Sequence, residues 1–159
     1  MHYTDDPRLQ LIFEILGEKE KASRAFIQYA NKSRVYGDEE LYMREAHFIT
    51  AVGPGNGLIM SKIAEIMAVT HGAVSQIACR LEKKGYILRC RDPENHRQII
   101  AKLTEKGEDF YRKHIRYDTA EYAEMDKRFF SSFTEEELRL IKAYEQAMYA
   151  IFTSKTESN

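Results

Sequence analysis

One stretch, residues 59–107, constrains this chain more than any other. It reads as helix, turn, helix, strand, charged tip, strand and helix start. Ile63, Ala64 and Met67 fall on one face of a short helix, about Met60 to Met67. Its start at Ile59 offers no Ser, Thr, Asp or Asn cap, so that end is expected to fray. Thr70 is placed to cap the next helix, whose apolar face is Val74, Ile77, Ala78 and Leu81. Gly85 stops it, and Lys83 and Lys84 occupy the last turn, where the helix dipole favours cations. Tyr86 to Arg91 and Gln98 to Leu103 then read as strands. In the second, Ile99, Ala101 and Leu103 alternate with Gln98, Ile100 and Lys102. Asp92-Pro-Glu-Asn-His-Arg97 forms the tip between them.

The flanks are helical. Pro7 can open a helix, because its missing N–H would be unpaired there anyway. Ile12, Phe13 and Leu16, then Ala22, Phe26, Tyr29 and Ala30, follow helical spacing, and Leu11 and Ile15 widen the stripe. A helix apolar on two sides serves two partners, here its own subunit and a dimer core. Gly37-Asp-Glu-Glu40 breaks the pattern and is expected to start a second helix, through about Ala51. Gly53-Pro-Gly-Asn-Gly57 is the strongest break and, at five residues, a tight connector. Thr104 caps a long helix to about Phe130, with Phe110, His114, Tyr117, Tyr122, Met125 and Phe129 on its apolar side. Thr134-x-x-Glu137 is a capping box for the last helix, whose face includes Leu138, Ile141, Tyr144, Met148, Ile151 and Phe152. From Ser154 a frayed polar tail is expected. The fold class is therefore mostly α with a small β-hairpin.

Composition excludes several classes. The 159 residues fit one domain, and no uncharged run is long enough to span a bilayer. The N-terminus lacks a basic-then-apolar signal pattern, so a cytoplasmic location is expected. Cys79 and Cys90 make neither a disulfide framework nor a Cys-x-x-Cys pair, and no two of the five histidines share zinc-ligand spacing on one helix face. Cys79 follows Ile77 and Ala78 on a packing face, which suits an inert thiol better than a redox switch. The glycines at 53, 55 and 57 lack the following lysine of a phosphate loop, and no nucleophile pairs with a base. No enzyme, metal or cofactor is expected. Net charge is −1 overall, but residues 58–107 hold nine basic and five acidic side chains, leaving +4 there and −5 elsewhere. That fits phosphate attraction, and equally a solvated charged surface.

The ordered set of Ile63-Ala-Glu65, Thr70 to Arg80, Leu81-Glu-Lys-Lys-Gly-Tyr86, Arg89-Cys-Arg-Asp-Pro-Glu-Asn-His-Arg97 and Leu103-Thr-Glu-Lys-Gly107 resembles the MarR family of winged helix-turn-helix regulators. The resemblance implies a two-fold homodimer, with dimerisation helices at 7–52 and 108–153 around a DNA-binding module at 53–107. It implies double-stranded DNA as partner, read as a roughly palindromic operator with half-sites about one helical turn apart, and a repressor as the usual role.

In that frame Thr70, His71 and Gly72 open the reading helix, where backbone N–H groups can meet a phosphate. Ser75 and Gln76 face the groove, and Gln76 can pair with an adenine edge. Arg80 suits a phosphate or guanine, and Lys62 of the supporting helix joins the basic set. Arg89, Arg91 and Arg97 belong to the wing, with Arg97 at the place of the family's minor-groove arginine. The family usually braces that arginine with an aspartate two residues earlier. Here Asn95 stands there, so the bracing should be weaker, with Asp92 or Glu94 as substitutes. Glu45-Ala-His47, Val69 to Ser75 and Lys84-Gly-Tyr-Ile87 also look like the branch that represses fatty-acid biosynthesis genes, whose corepressor is acylated acyl carrier protein.

Tyr29, Tyr36 and His47 are the candidate residues for a small-molecule or acyl effector, with Tyr42 beside them; ordinary core packing accounts for the same residues. Two other readings compete with a ligand-controlled regulator. One is a winged-helix module that binds a protein, which would favour exposed aromatics over Ser75, Gln76, Arg80 and Arg97. The other is a DNA-binding protein with no effector.

Overall fold

Asp6 and Pro7 start the first helix together. In this computed structural model, which describes residues 4–157, Pro7 takes the first position of α1 (Pro7–Ala30). The Asp6 carboxylate accepts the free N–H groups of Arg8, at 2.8 Å, and Leu9, at 3.3 Å. Leu11, Phe13, Ile15, Phe26 and Ile27 of α1 are all exposed, and Ala30 is its one buried residue. Contacts divide the chain into two compact units, Met1–Tyr117 and Asp118–Asn159. Among the described residues no helix is long and apolar enough to cross a membrane.

The second helix does not begin at Gly37 as expected. Residues 33–42 form an antiparallel hairpin instead, β1 (Ser33–Tyr36) and β2 (Glu39–Tyr42), with Tyr36 opposite Glu39. Gly37 and Asp38 are its two-residue turn, and Gly37 has φ +71°, a conformation that a hairpin of this length demands. The strand period of two decides the outcome. Tyr36 and Leu41 turn inward and are each 1% exposed, while Val35, Glu40 and Tyr42 turn outward. Three acidic residues after a glycine read as a helix start, but two buried side chains on one strand face outweigh that local signal.

The first unit's core forms where α2 (Met43–Val52), α3 (Met60–Met67) and α4 (His71–Lys83) meet a small sheet. Phe48, Ile49, Ile63, Val74, Ala78, Leu81, Ile87, Ala101 and Phe110 make up much of it. Of the expected apolar faces of the two short helices, Ile63, Ala64, Val74, Ile77, Ala78 and Leu81 are buried and Met67 is partly buried against them. Ile59 does precede α3 without a side-chain cap, but it is not frayed. With Leu58 it forms a short strand, β3 (Leu58–Ile59), paired to Ala101 and Ile100, which the sequence reading did not foresee. The sheet order is β3-β5-β4, with β4 (Ile87–Arg91) and β5 (Ile99–Leu103) forming the antiparallel wing. Gly57, at φ +83°, makes this pairing possible: a Cβ there would collide with the Ala101 carbonyl oxygen and the Lys102 side chain.

Two caps fix α4 and its exit. Thr70 Oγ1 accepts from Ala73 N at 3.2 Å, as expected. At the other end Gly85 N donates to Glu82 O and Tyr86 N to Leu81 O, and Gly85 takes φ +78°, the paired bonds of a glycine-terminated helix. Thr104 then opens α5 (Glu105–Met125): its hydroxyl accepts from Gly107 N at 3.1 Å and donates to the Gly85 carbonyl at 2.7 Å. One threonine thus joins the end of α4 to the start of α5.

The second unit holds the end of α5, a π-helical turn at Asp126–Phe130 and α6 (Glu135–Glu157). The long helix expected to reach Phe130 therefore does so with one wider turn, closed by Ser131 N to Asp126 O at 2.8 Å. The capping box is present, with Thr134 N to Glu137 Oε2 at 2.7 Å and Glu137 N to Thr134 Oγ1 at 3.2 Å. The tail expected from Ser154 is helical to Glu157. Thr153 and Ser154 hydroxyls bond back to the Tyr149 and Ile151 carbonyls, so these polar residues stay within the helix.

Candidate nucleic-acid interface

Burying Val74, Ile77, Ala78 and Leu81 forces the opposite side of α4 into solvent. Thr70, His71, Gly72, Ser75, Gln76 and Arg80 are all exposed there. Beside this face, a cavity of about 270 Å³ separates the reading helix from the wing, with Ser61, Ser75, Arg89 and Arg97 around it and Ile59 and Met60 among its apolar lining. Ser61 was not among the sequence candidates; only the β3–β5 pairing carries it here. Lys62 is exposed on α3 and forms an ion pair with Glu65 one turn on.

The wing arginines differ in what holds them. Arg89 is clamped by Glu82, whose Oε2 accepts from Nη2 at 2.5 Å and Nε at 2.9 Å, while Oε1 accepts from the Arg89 backbone N–H. Arg91 Nη1 reaches the His96 carbonyl at 3.4 Å. Arg97 makes no ion pair among the described residues, so its guanidinium stands available at the tip. Asn95 does not brace that guanidinium. Its Oδ1 accepts from the Arg97 backbone N–H at 3.2 Å and shapes the turn. Asp92 acts likewise on Glu94 N at 2.9 Å.

Hydrogen bonds from Arg89 hold the Glu82 carboxyl below the usual glutamate range. A depressed folded value means that the stabilisation is complete above the unfolded carboxylate value and disappears as pH falls through the folded one. The melting temperature of Glu82→Gln is therefore expected to lie below the native one at neutral pH. The gap should close as pH is taken below about 4.3, the ordinary glutamate value. A gap that persists unchanged into strong acid would show that the pair contributes nothing through charge.

Arg80 turns toward α2 rather than standing clear. Its Nε lies 3.4 Å from Glu45 Oε1, and Lys84 Nζ lies 2.7 Å from Glu45 Oε2. Glu45 is 0% exposed. Sequence reasoning missed it as a site residue, although a charged side chain among Met43, Ala46, Phe48 and Ile49 is the kind of signal that finds one.

The effector candidates lie elsewhere in the same unit. Tyr36 is core: its ring stacks on His114 at 5.0 Å and meets Phe110 and Tyr117 edge-on at 5.3 and 5.0 Å. His47 approaches His114 with ring centroids 5.8 Å apart. Two imidazoles from distant parts of the chain thus meet, which a search by local ligand spacing cannot detect. Tyr29 carries the Arg34 guanidinium 3.9 Å above its ring, and Tyr42 is exposed. Tyr86 donates its hydroxyl to Glu39, and Lys113 bonds Asp38 at 2.9 Å and Glu39 at 3.1 Å. Burial first, and the Glu39 bond second, raise the Tyr86 phenol far above its ordinary value. Cys79 is partly buried and Cys90 exposed.

The MarR family model matches residues 41–99. A curated relative from Bacillus subtilis (strain 168), the uncharacterized HTH-type transcriptional regulator YhjH, is 30% identical over 102 residues, 62% of this chain and 56% of that protein. The chain thus spans little more than half the length of that relative. The crystal structure of Streptococcus pneumoniae FabT in complex with DNA is 25% identical, with a TM-score of 0.60 over 92% of this chain and 98% of that one. A MarR family transcription regulator, SP03579, has a TM-score of 0.71 over 96% of this chain and 97% of its own at 15% identity, a likeness of fold alone. The names are those of transcriptional regulators, a non-enzymatic family.

Proposed function

We propose, from the match of residues 41–99 to the MarR family model, that this chain is a homodimeric transcriptional regulator that binds a pseudo-palindromic operator as a repressor. The observation that carries the reading is the exposed polar face of α4, Ser75 and Gln76 with the backbone N–H groups of Thr70 to Gly72, set across one cavity from the unpaired Arg97. Gln76 reads a base edge in the major groove, Arg97 enters the minor groove, and Lys62, Arg80 and Arg91 neutralise phosphates. Arg89, held by Glu82, lines the cavity as its fixed basic wall. FabT, with its structure in complex with DNA, supports the same use of the fold.

A second copy supplies what α1 lacks. Leu11, Phe13, Ile15, Phe26 and Ile27 of α1, and Leu140, Tyr149, Ile151 and Phe152 of α6, expose apolar surface that a dimer would cover. Two modules then meet successive major grooves about 34 Å apart. A small or acyl ligand near Tyr29, Tyr36 and His47 shifts that spacing and so sets affinity. The narrower version, a repressor of fatty-acid biosynthesis genes with acylated acyl carrier protein as corepressor, rests on the resemblance carried by Glu45-Ala-His47, Val69 to Ser75 and Lys84-Gly-Tyr-Ile87.

The test is binding of the purified protein to a fragment of its own promoter across a salt titration, with the oligomeric state measured alongside. The expected result is a dimer whose affinity falls steeply and log-linearly with salt yet stays well above that for unrelated DNA. Binding that appears only with acylated acyl carrier protein would select the corepressor version. No preference for the promoter under any of these conditions would overturn DNA reading and leave the winged module to a protein partner.

A further inference from the structure

We propose that Glu45 is the positioning residue of the reading helix: its buried carboxylate aims Arg80 at an operator phosphate. The inference rests on the DNA-binding reading above and says which residue outside the interface makes that interface work.

Glu45 sits in the first turn of α2, and its side chain is 1% exposed. Burying a carboxylate is unfavourable unless cations and donors meet it. Oε2 has two, Lys84 Nζ at 2.7 Å and the Tyr42 backbone N–H at 3.3 Å. Oε1 has neither: it faces Arg80 Nε at 3.4 Å, an ion pair short of a hydrogen bond, and has no hydrogen-bond partner. A small rotation of the guanidinium completes that bond.

Arg80 and Lys84 stand one helical turn apart at the end of α4, so one carboxylate on α2 grips the reading helix twice. The two cations are not equivalent. Lysine's donors all radiate from one flexible atom, and in Lys84 that atom is drawn to Glu45 at 2.7 Å. Arginine has five N–H donors in a rigid fork, so Nε can be held from behind while the outer nitrogens face solvent. The Arg80 side chain is 52% exposed, which leaves those nitrogens for a phosphate. The carboxylate is removed from water, so its attraction for Nε is screened less than that of a surface pair. A phosphate therefore meets a guanidinium already oriented, and less side-chain freedom is lost on binding.

The experiment compares promoter binding by the native protein, Glu45→Gln, Arg80→Ala and the double variant, each across a salt titration. Glutamine keeps the shape and can still accept from Tyr42 N and Lys84. Glu45→Gln is expected to weaken binding on the order of tenfold and to make the salt slope shallower by about one per subunit, as Arg80→Ala does. In the Arg80→Ala background Glu45→Gln should cost nothing further, because its effect passes through Arg80. A residue that only supported the fold would lower affinity equally in both backgrounds. That result, or native affinity and slope in Glu45→Gln, overturns the proposal while DNA binding stands. A native protein with no preference for the promoter overturns the DNA reading and this proposal with it. If Glu45→Gln does not fold, Arg80→Lys decides. Its donors all radiate from one atom, without the rigid fork that is held at Nε while its outer nitrogens face a phosphate, so it should lose most of what Arg80→Ala loses, and retained native affinity refutes the idea.

Discussion

Gly107→Ala is expected to cost about 3 kcal/mol of folding stability, and more than any surface change in the wing. Helix propensity argues the other way: Gly107 lies in the first turn of α5, where alanine is better than glycine by about 1 kcal/mol. Space decides against it. A Cβ at Gly107 would run into the Tyr86 carbonyl oxygen and stand 3.3 Å from Leu103 Cβ. The obstacle is backbone, so no rotamer relieves it. That carbonyl is itself fixed, because it accepts Thr104 N at 3.0 Å. Making room means lifting α5 from the wing and breaking the Thr104 bond to the Gly85 carbonyl. Urea unfolding monitored by far-ultraviolet circular dichroism measures the effect. A variant as stable as the native chain would mean that the α4–wing–α5 junction is not rigid.

The second large effect is on affinity. Arg97→Ala is expected to weaken promoter binding by roughly 1–3 kcal/mol per wing, the scale of one specific contact, so by about thirtyfold or more when both wings of a dimer lose it. The arginine starts without an ion pair, so its removal leaves no orphaned acid and folding should be untouched. Arg89→Ala is the contrast, because it strands Glu82 and disturbs the wing. Fluorescence anisotropy at two salt concentrations measures both parts. If Arg97→Ala keeps native affinity and salt slope, the wing does not touch DNA.

Periodicity carried α3, α4 and the wing. The buried sets Ile63-Ala64 and Val74-Ile77-Ala78-Leu81 are those the helical spacing marks, and Thr70 and Thr134 cap where their sequence places them. The exposed side of α4 was legible for the same reason: what packs determines what does not. The β1–β2 hairpin was not legible by helical spacing, since four-residue strands hold too few residues to show a period, and Gly37-Asp38 was the one signal. The pair Leu58–Ile59 owes its strand to β5, more than forty residues downstream. The Glu45–Arg80–Lys84, Glu82–Arg89 and His47–His114 contacts all join residues separated by a turn of the fold, so no local spacing rule reaches them. Side-chain type named the basic residues of the wing; partners in space decide which are clamped and which is open.

The thin coverage of α1 has a consequence of another kind. A 24-residue helix with one buried residue holds little of its order from its own chain. When a second copy provides the missing cover, folding and association become one equilibrium, and stability acquires a dependence on concentration. Dilution of such a dimer then unravels the helix whose cover it removes. For the proposed dimer, the concentration of copies then sets how many are intact.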